Sequence, residues 1–260
     1  MLNIKMICSD LDGTILTYSQ TRLSDRLLRQ IEELNKKCIL FVPTSGRQIT
    51  SMLKLFAPVT DCCRYICSNG AVLCDGSGHV METEAMPREV AWEIAHDFLD
   101  RTDGRGEVNL AGTNCCHLLS KDLGMVDRMK FIGNHYKLID RPEQVTEDVV
   151  KVSVFLPDGA DRYIDRFQEK WKDYNPAIAG PFWIDTTVAS KGSGVKRLCE
   201  MLHIDLKDVA AFGDNYNDIS MLDVVGHPYI MASAAEQLLD RYPSHTACVE
   251  DTLDAILREL

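Results

Sequence analysis

The sequence predicts an α/β protein, a doubly wound and mostly parallel sheet interrupted by an inserted α+β module. Three observations predict it. Short apolar runs at 6–8, 38–42, 65–67 and 209–212 each end abruptly in a polar loop, the pattern of strands buried on both faces. Segments with apolar residues at helical spacing lie between them, so strands and helices alternate. The middle of the chain breaks that alternation and carries its helices and strands in a mixed order.

Along the chain, Met6, Ile7 and Cys8 form the first strand and deliver it into Ser9-Asp10-Leu11-Asp12-Gly13-Thr14. Ser24 is the candidate N-cap of a helix whose Leu27, Leu28, Ile31 and Leu34 share one face, and 38–42 follows as a second buried strand. Pro43-Thr44-Ser45-Gly46 punctuates its end, 49–56 reads as a helix, and 65–67 as a third strand stopped by Ser68-Asn69-Gly70. In the middle, 89–99 and 123–135 read as helices and 149–156 and 182–186 as strands. Beyond it come a helix at 191–202, a strand at 209–212, the loop Gly213-Asp214-Asn215-Tyr216-Asn217-Asp218 and a helix at 219–224. Residues 225–231, 234–239 and 247–249 continue as strand, helix and strand up to a last helix from Thr252. The expected domains are therefore 1–81 with 186–260 as the core, and 82–185 as the inserted module.

A chain of 260 residues has ample length for a buried core, so nothing in its size calls for disulfides or a metal staple. Its net charge of −11, with no basic stretch, opposes phosphate backbones and anionic lipid. No nucleic acid and no membrane is expected as a partner; a small charged ligand held by local groups is. The longest apolar runs fall far short of the roughly 20 residues of a spanning helix. Residues 1–8 lack the apolar core and cleavage site of a signal peptide, so a cytoplasmic location is expected. The ten cysteines show no pair of CxxC knuckles and lie largely in apolar runs, which predicts packed, reduced thiols. The histidines show no metal spacing, and Trp92, Trp171 and Trp183 are expected as core packing. Nothing in the sequence indicates an oligomeric state.

The chemistry is concentrated in the loops after strands. Asp10 and Asp12 are two apart, so on an extended strand end they face the same side, and Asp214 and Asp218 occupy a second loop of the same kind. Carboxylates gathered at one sheet edge repel unless a cation neutralises them, and hard oxygen ligands suit Mg²⁺. A calcium loop is a poor alternative, because Thr21 stands where its distal glutamate belongs. The same loops offer phosphate-binding groups: hydroxyls at Thr14 and Ser45, backbone N–H groups near Leu11 and Gly46, the Asn217 amide and the Lys191 ammonium. In such a site one carboxylate can attack phosphorus while the other protonates the leaving oxygen.

Asp10-Leu11-Asp12-Gly13-Thr14, Thr44-Ser45-Gly46-Arg47, Lys191-Gly192 and the Gly213 to Asp218 loop, in this order, resemble the four motifs of the haloacid dehalogenase superfamily of phosphotransferases. Ser68-Asn69-Gly70-Ala71 resembles a signature of its Cof-like sugar phosphatases. The resemblance implies a Rossmann-like core with a substrate-selecting cap. It implies Asp10 as nucleophile and Mg²⁺ ligand, Asp12 as general acid and base with its carbonyl on the metal, and Asp214 as the third protein ligand. Leu11, Ser45, Gly46, Lys191 and Asn217 would hold the phosphoryl oxygens, with Thr14 and Asp218 in support. The implied activity is Mg²⁺-dependent hydrolysis of a small phosphorylated metabolite, a sugar or polyol phosphate, through an aspartyl phosphate on Asp10. A sugar phosphomutase of the same superfamily and a non-catalytic phospholigand-binding module are the rival readings. Ser45 stands where threonine is commoner, Tyr216 where a small residue is usual, and Met231-Ala232-Ser233-Ala234 where Gly-Asn-Ala is usual. Arg47 has three open roles: gripping substrate, gripping the cap, or pairing with an acidic neighbour.

Overall fold

The computed structural model describes residues 3–16, 20–119 and 123–259. They form two compact units, Met1–Glu82 with Ser190–Leu260, and Thr83–Ala189. The first segment of the chain supplies β1 (Met6–Ser9), α1 (Asp25–Lys36), β2 (Leu40–Pro43), α2 (Ile49–Leu55), β3 (Tyr65–Cys67), β4 (Val72–Cys74) and β5 (Val80–Thr83). Ser24 caps α1, its hydroxyl accepting the Leu27 N–H at 3.0 Å, and Leu27, Ile31 and Leu34 are buried as their spacing predicts. The strand expected from residue 38 starts instead at Leu40. Cys38 adopts φ +60°, a left-handed position that ends the helix and cannot belong to an extended strand.

The middle unit comprises α3 (Arg88–Arg101), β6 (Glu107–Gly112), β7 (Cys116–Leu119), α4 (Leu123–Ile132), β8 (Tyr136–Leu138), β9 (Val149–Phe155), α5 (Ile164–Trp171), β10 (Ala177–Gly180) and β11 (Trp183–Thr186). Its six strands run in the order β10-β11-β9-β6-β7-β8, antiparallel except for β7 and β8. Val108, Leu110, Val152, Val154 and Ile184 form a core with Phe98 of α3 and Phe167 of α5, whose rings meet edge to face at 4.1 Å. Helix α4 ends at Ile132 rather than at the expected 135. Gly133 turns left-handed (φ +76°) and the Asn134 N–H returns to the Met129 carbonyl at 3.0 Å, a closure that releases His135 toward β7.

The last segment returns to the first unit with α6 (Lys191–Leu202), β12 (Val209–Gly213), α7 (Ile219–Leu222), β13 (His227–Met231), α8 (Glu236–Arg241), β14 (His245–Thr246) and α9 (Val249–Glu259). The strand expected at 247–249 lies two residues earlier, paired to β13 through Ile230 and Met231. Thr246 is the reason: its hydroxyl accepts the Cys248 N–H at 3.3 Å and bends the chain into α9 at Val249. The five strands β14-β13-β12-β1-β2 are all parallel, and β3, β4 and β5 form a smaller sheet that bridges to β2 at Phe41–Cys63 and Thr44–Ile66. Met6, Cys8, Val42, Val209, Ala211 and Ile230 pack against Val195 and Leu198 of α6 and Met221 and Leu222 of α7. All ten cysteines are free thiols, and six of them are buried. No described helix is long and apolar enough to cross a membrane.

Candidate active site

Strand order places the chemistry. From β1 the chain moves to one side for β2 and comes back on the other for β12, so β1 is the point where the winding reverses. In open parallel sheets the crevice beyond the strand ends at that point takes the ligand. Asp10 leaves β1 with its N–H on the Phe212 carbonyl at 2.9 Å, while the Thr44 N–H donates to the Ser9 carbonyl at 2.8 Å. The loops carrying Asp10, Ser45 and Asp214 therefore emerge from three adjacent strands at one edge.

The loop after β1 is wound tightly on itself. The Leu11 carbonyl accepts the N–H groups of Thr14, Ile15 and Leu16 at 3.2, 3.0 and 2.8 Å. Gly13 has φ +98°, and a Cβ there would lie 2.3 Å from Asp214 Oδ2. Glycine is thus what lets the loops after β1 and β12 touch. Thr14 closes the contact from its own side chain, donating to Asp214 Oδ1 at 3.0 Å and lying 3.4 Å from Asp10 Oδ2.

Lys191 opens α6, where a cation at a helix N-terminus is electrostatically unfavourable and burial makes it worse. It is nevertheless 1% exposed. Ser190 and Ser193 fix the helix start by reciprocal capping at 3.0 Å. Gly192 brings α6 against α7, since a Cβ there would lie 2.0 Å from the Ser220 carbonyl oxygen. The Lys191 ammonium then reaches Asp10 Oδ1 and Asp218 Oδ1, each at 2.5 Å. Burial works against its charge, but the two carboxylates outweigh burial and push its pKa above the usual lysine value.

Asp218 is itself fully buried, and its second oxygen accepts the N–H groups of Asp214 and Asn215, both at 3.0 Å. Carboxylate oxygens of Asp10, Asp214 and Asp218 all lie within 4.8 Å of one another. Burial pushes the Asp10 pKa up, and Asp218 and Asp214 add to that against the pull of Lys191. Burial and Asp218 likewise raise Asp214. Three carboxylates thus share one ammonium, a donor set of hard oxygens with surplus negative charge, which fits a divalent cation such as Mg²⁺.

Ser45 follows β2, its N–H on the Ile66 carbonyl at 2.9 Å, and its hydroxyl accepts the Arg47 N–H at 3.2 Å. Neighbouring Thr44 spends its hydroxyl on the Val42 carbonyl at 3.1 Å, so Ser45 is the hydroxyl presented by this loop. Asn217 lies exposed on the short turn Tyr216–Asp218. Tyr216 is 57% exposed with its hydroxyl on Gln237 at 3.3 Å, which carries its ring outward. Asp12 differs from the other acids: its carboxylate lies outside the cluster and pairs with Arg47, with Arg47 Nε on Oδ2 at 2.8 Å and Nη2 on Oδ1. Of the three roles open to Arg47, the structure shows the pairing with an acidic neighbour, Asp12. Asn69 of the Ser68 to Ala71 signature is held at φ +56° with its N–H on the Ser45 carbonyl at 3.0 Å and its amide against Gly46. The Ser68-Asn69-Gly70 sequence marks a turn; that the turn buttresses the Ser45 loop depends on the bridge between β2 and β3.

The chain is similar to known proteins along most of its length. Residues 7–260 match the family model of haloacid dehalogenase-like hydrolases. The chain is 25% identical over 265 residues to the Escherichia coli 5-amino-6-(5-phospho-D-ribitylamino)uracil phosphatase YbjI, covering 98% of this chain and 96% of that one. It is 24% identical to the Bacillus subtilis phosphatase YwpJ over 263 residues, 90% of this chain and 92% of that one. A crystal structure of a protein from Eubacterium rectale superposes with a TM-score of 0.87 at 25% identity, covering 97% of this chain and 99% of that chain. The chain belongs to the haloacid dehalogenase-like hydrolases, in their Cof-like branch of phosphatases.

Proposed function

We propose that the chain, a phosphoric monoester hydrolase of that family, is a cytoplasmic Mg²⁺-dependent enzyme that hydrolyses small sugar or polyol phosphates through an aspartyl phosphate on Asp10. The observation that carries this reading is the Lys191 ammonium at 2.5 Å from both Asp10 and Asp218, with Asp214 in the same cluster. An Asp10 oxygen attacks phosphorus; the bond from phosphorus to the Asp10 oxygen forms, the ester bond breaks, and Asp12 gives the leaving oxygen its proton. Asp12 then takes a proton from water, which attacks the phosphorus, frees inorganic phosphate and restores Asp10. Lys191 balances negative charge throughout, while Ser45, Asn217 and the N–H groups of Leu11 and Gly46 hold the phosphoryl oxygens. Asp10, Asp214 and the Asp12 carbonyl would hold Mg²⁺, with Asp218 fixing the Asp214 loop and Thr14 orienting the Asp214 carboxylate. When bound, the metal supplies Lewis-acid polarisation of the phosphoryl group and offsets the clustered charge.

We assign leaving-group selection to the unit Thr83–Ala189. The Escherichia coli relative is named for a phosphorylated ribityl compound, which supports a polyol phosphate as the substrate class. The test is phosphate release from a panel of sugar phosphates, nucleotides and cofactor phosphates with Mg²⁺, with Asp10→Asn as control. Metal-dependent release that disappears in the variant supports the reading. Isomerised sugar phosphate in place of free phosphate assigns a mutase instead, and silence of folded protein across the panel assigns a binding module.

A further inference from the structure

We propose that Arg47 is a positioning residue for proton delivery: its guanidinium orients the Asp12 carboxylate toward the leaving-group oxygen and keeps it out of the metal cluster. The inference rests on the phosphatase reading above. Arg47 is anchored at its own backbone, with its N–H on the Ser45 hydroxyl at 3.2 Å and its carbonyl accepting the Ser68 N–H at 3.0 Å. Its side chain then crosses from the loop after β2 to the loop after β1. Nε and Nη2 each take one oxygen of Asp12, and Nη1 lies 3.5 Å from the Ser51 hydroxyl on α2. Such a two-point fork fixes the plane and direction of a carboxylate, which a single lysine contact does not.

Stability is a weak reason for this pair. The Arg47 side chain is 22% exposed and that of Asp12 39%, and partly exposed ion pairs add little to folding. Orientation is the stronger one. Asp10, Asp214 and Asp218 already crowd one point, and a fourth carboxylate turned toward it would add repulsion and compete for the cation. Held by Arg47, Asp12 contributes its backbone to that point and reserves its carboxylate for proton transfer.

The test separates proton delivery from binding by leaving group. A sugar or alkyl phosphate needs its leaving alkoxide protonated; p-nitrophenyl phosphate, whose phenolate leaves unaided, does not. Since kcat/KM covers the steps through alcohol release, Arg47→Ala is expected to lower it by about 10²-fold for the alkyl ester, the usual worth of a placed general acid, and at least tenfold less for the nitrophenyl ester. Arg47→Lys should recover part of the alkyl-ester loss, and if Arg47→Ala does not fold, Arg47→Lys carries the same comparison of esters. Adding Arg47→Ala to Asp12→Asn should cost the alkyl ester almost nothing further. Equal losses on both esters, with or without a rise in KM, would overturn the proposal and make Arg47 a phosphoryl grip or a structural tie. A wild-type enzyme that releases phosphate from neither ester overturns the phosphatase reading itself, and the inference with it.

Discussion

Both units of the chain bury carboxylates beside cations, but they balance the charge in opposite ways. In the parallel-sheet unit three carboxylates, Asp10, Asp214 and Asp218, share the Lys191 ammonium. In the middle unit Asp97 alone collects Lys170 at 2.8 Å, Arg101 at 2.8 Å and the Trp171 indole N–H at 2.9 Å, and Asp185 has Lys151 at 2.8 Å. Burial raises the Asp97 pKa, yet the donors from Lys170, Trp171 and Arg101 outweigh it and hold the group below its usual range. An acid with more donors than it needs fastens helices together. A set with too few leaves negative charge that a divalent cation fits.

The largest test of this contrast removes Lys191. Lys191→Met leaves Asp10 and Asp218 buried without their cation, and breaking such a pair costs about 3–5 kcal/mol. Denaturant unfolding of chelator-treated protein should read that loss, and phosphate release should fall with it. A variant as stable as the parent would mean that the cluster carries no surplus charge.

A smaller effect follows from filling the site. A ligand that binds only the folded chain stabilises it by about 2.7 kcal/mol at a concentration 100 times its Kd. Thermal melts with and without Mg²⁺ should show such a rise, Asp214→Asn should remove most of it, and Asp97→Asn should leave the response to Mg²⁺ as it was. Loss of the Mg²⁺ response in Asp97→Asn would erase the distinction between the two units.

The two sets should also answer pH with opposite sign. The folded pKa of Asp97 lies below its unfolded value, so its contribution is present above the unfolded value and is lost as pH falls through the folded one. Asp97→Asn is therefore expected to cost about 1–3 kcal/mol near pH 7, with the gap to wild type closing in acid. The folded pKa of Asp10 lies above its unfolded value, so in metal-free protein its contribution is full below the unfolded value and declines as pH rises through the folded one. Asp10→Asn should gain on wild type as pH rises. Melts of the two variants over pH 4 to 8 with chelator check both slopes, and slopes of equal sign would refute the contrast.

The same contrast explains what the sequence reveals. Strands β1, β3 and β12 are continuous apolar runs because both their faces are covered, and each run ends where a loop begins. Asp10, Asp214 and Asp218 stand in such loops, so the order of residues along the chain is enough to single them out. In the middle unit β6 reads Glu-Val-Asn-Leu-Ala-Gly, where the buried Asn109 breaks the apolar signal, and β10 is four largely exposed residues. Helix α5 sets Ile164, Phe167 and Trp171 on one face, at i, i+3 and i+7, but its eight residues are shorter than the roughly 11–18-residue stretch over which that period stands out. For Arg47 the sequence leaves three roles open, and the choice of pairing with Asp12 is hidden for another reason. It depends on which way a side chain leaves the loop after β2, and a separation of 35 positions along the chain carries no trace of that direction.

The smallest effect is expected at Lys170, and it is the cleanest counterpart to Lys191. Lys170 is 47% exposed, so its charge stays hydrated, and its contact with Asp97 is backed by Arg101 and Trp171. Its ammonium also lies 4.7 Å from the Trp171 ring, a contact that methionine would keep in part through its sulfur. Lys170→Met should therefore cost less than about 1 kcal/mol, shrinking further in high salt, where exposed pairs are screened. Both lysines touch a carboxylate at hydrogen-bonding distance, so distance does not separate them. What separates them is how many cations the carboxylate retains afterwards, and a Lys170→Met loss approaching that of Lys191→Met would show that donor surplus gives Asp97 no protection.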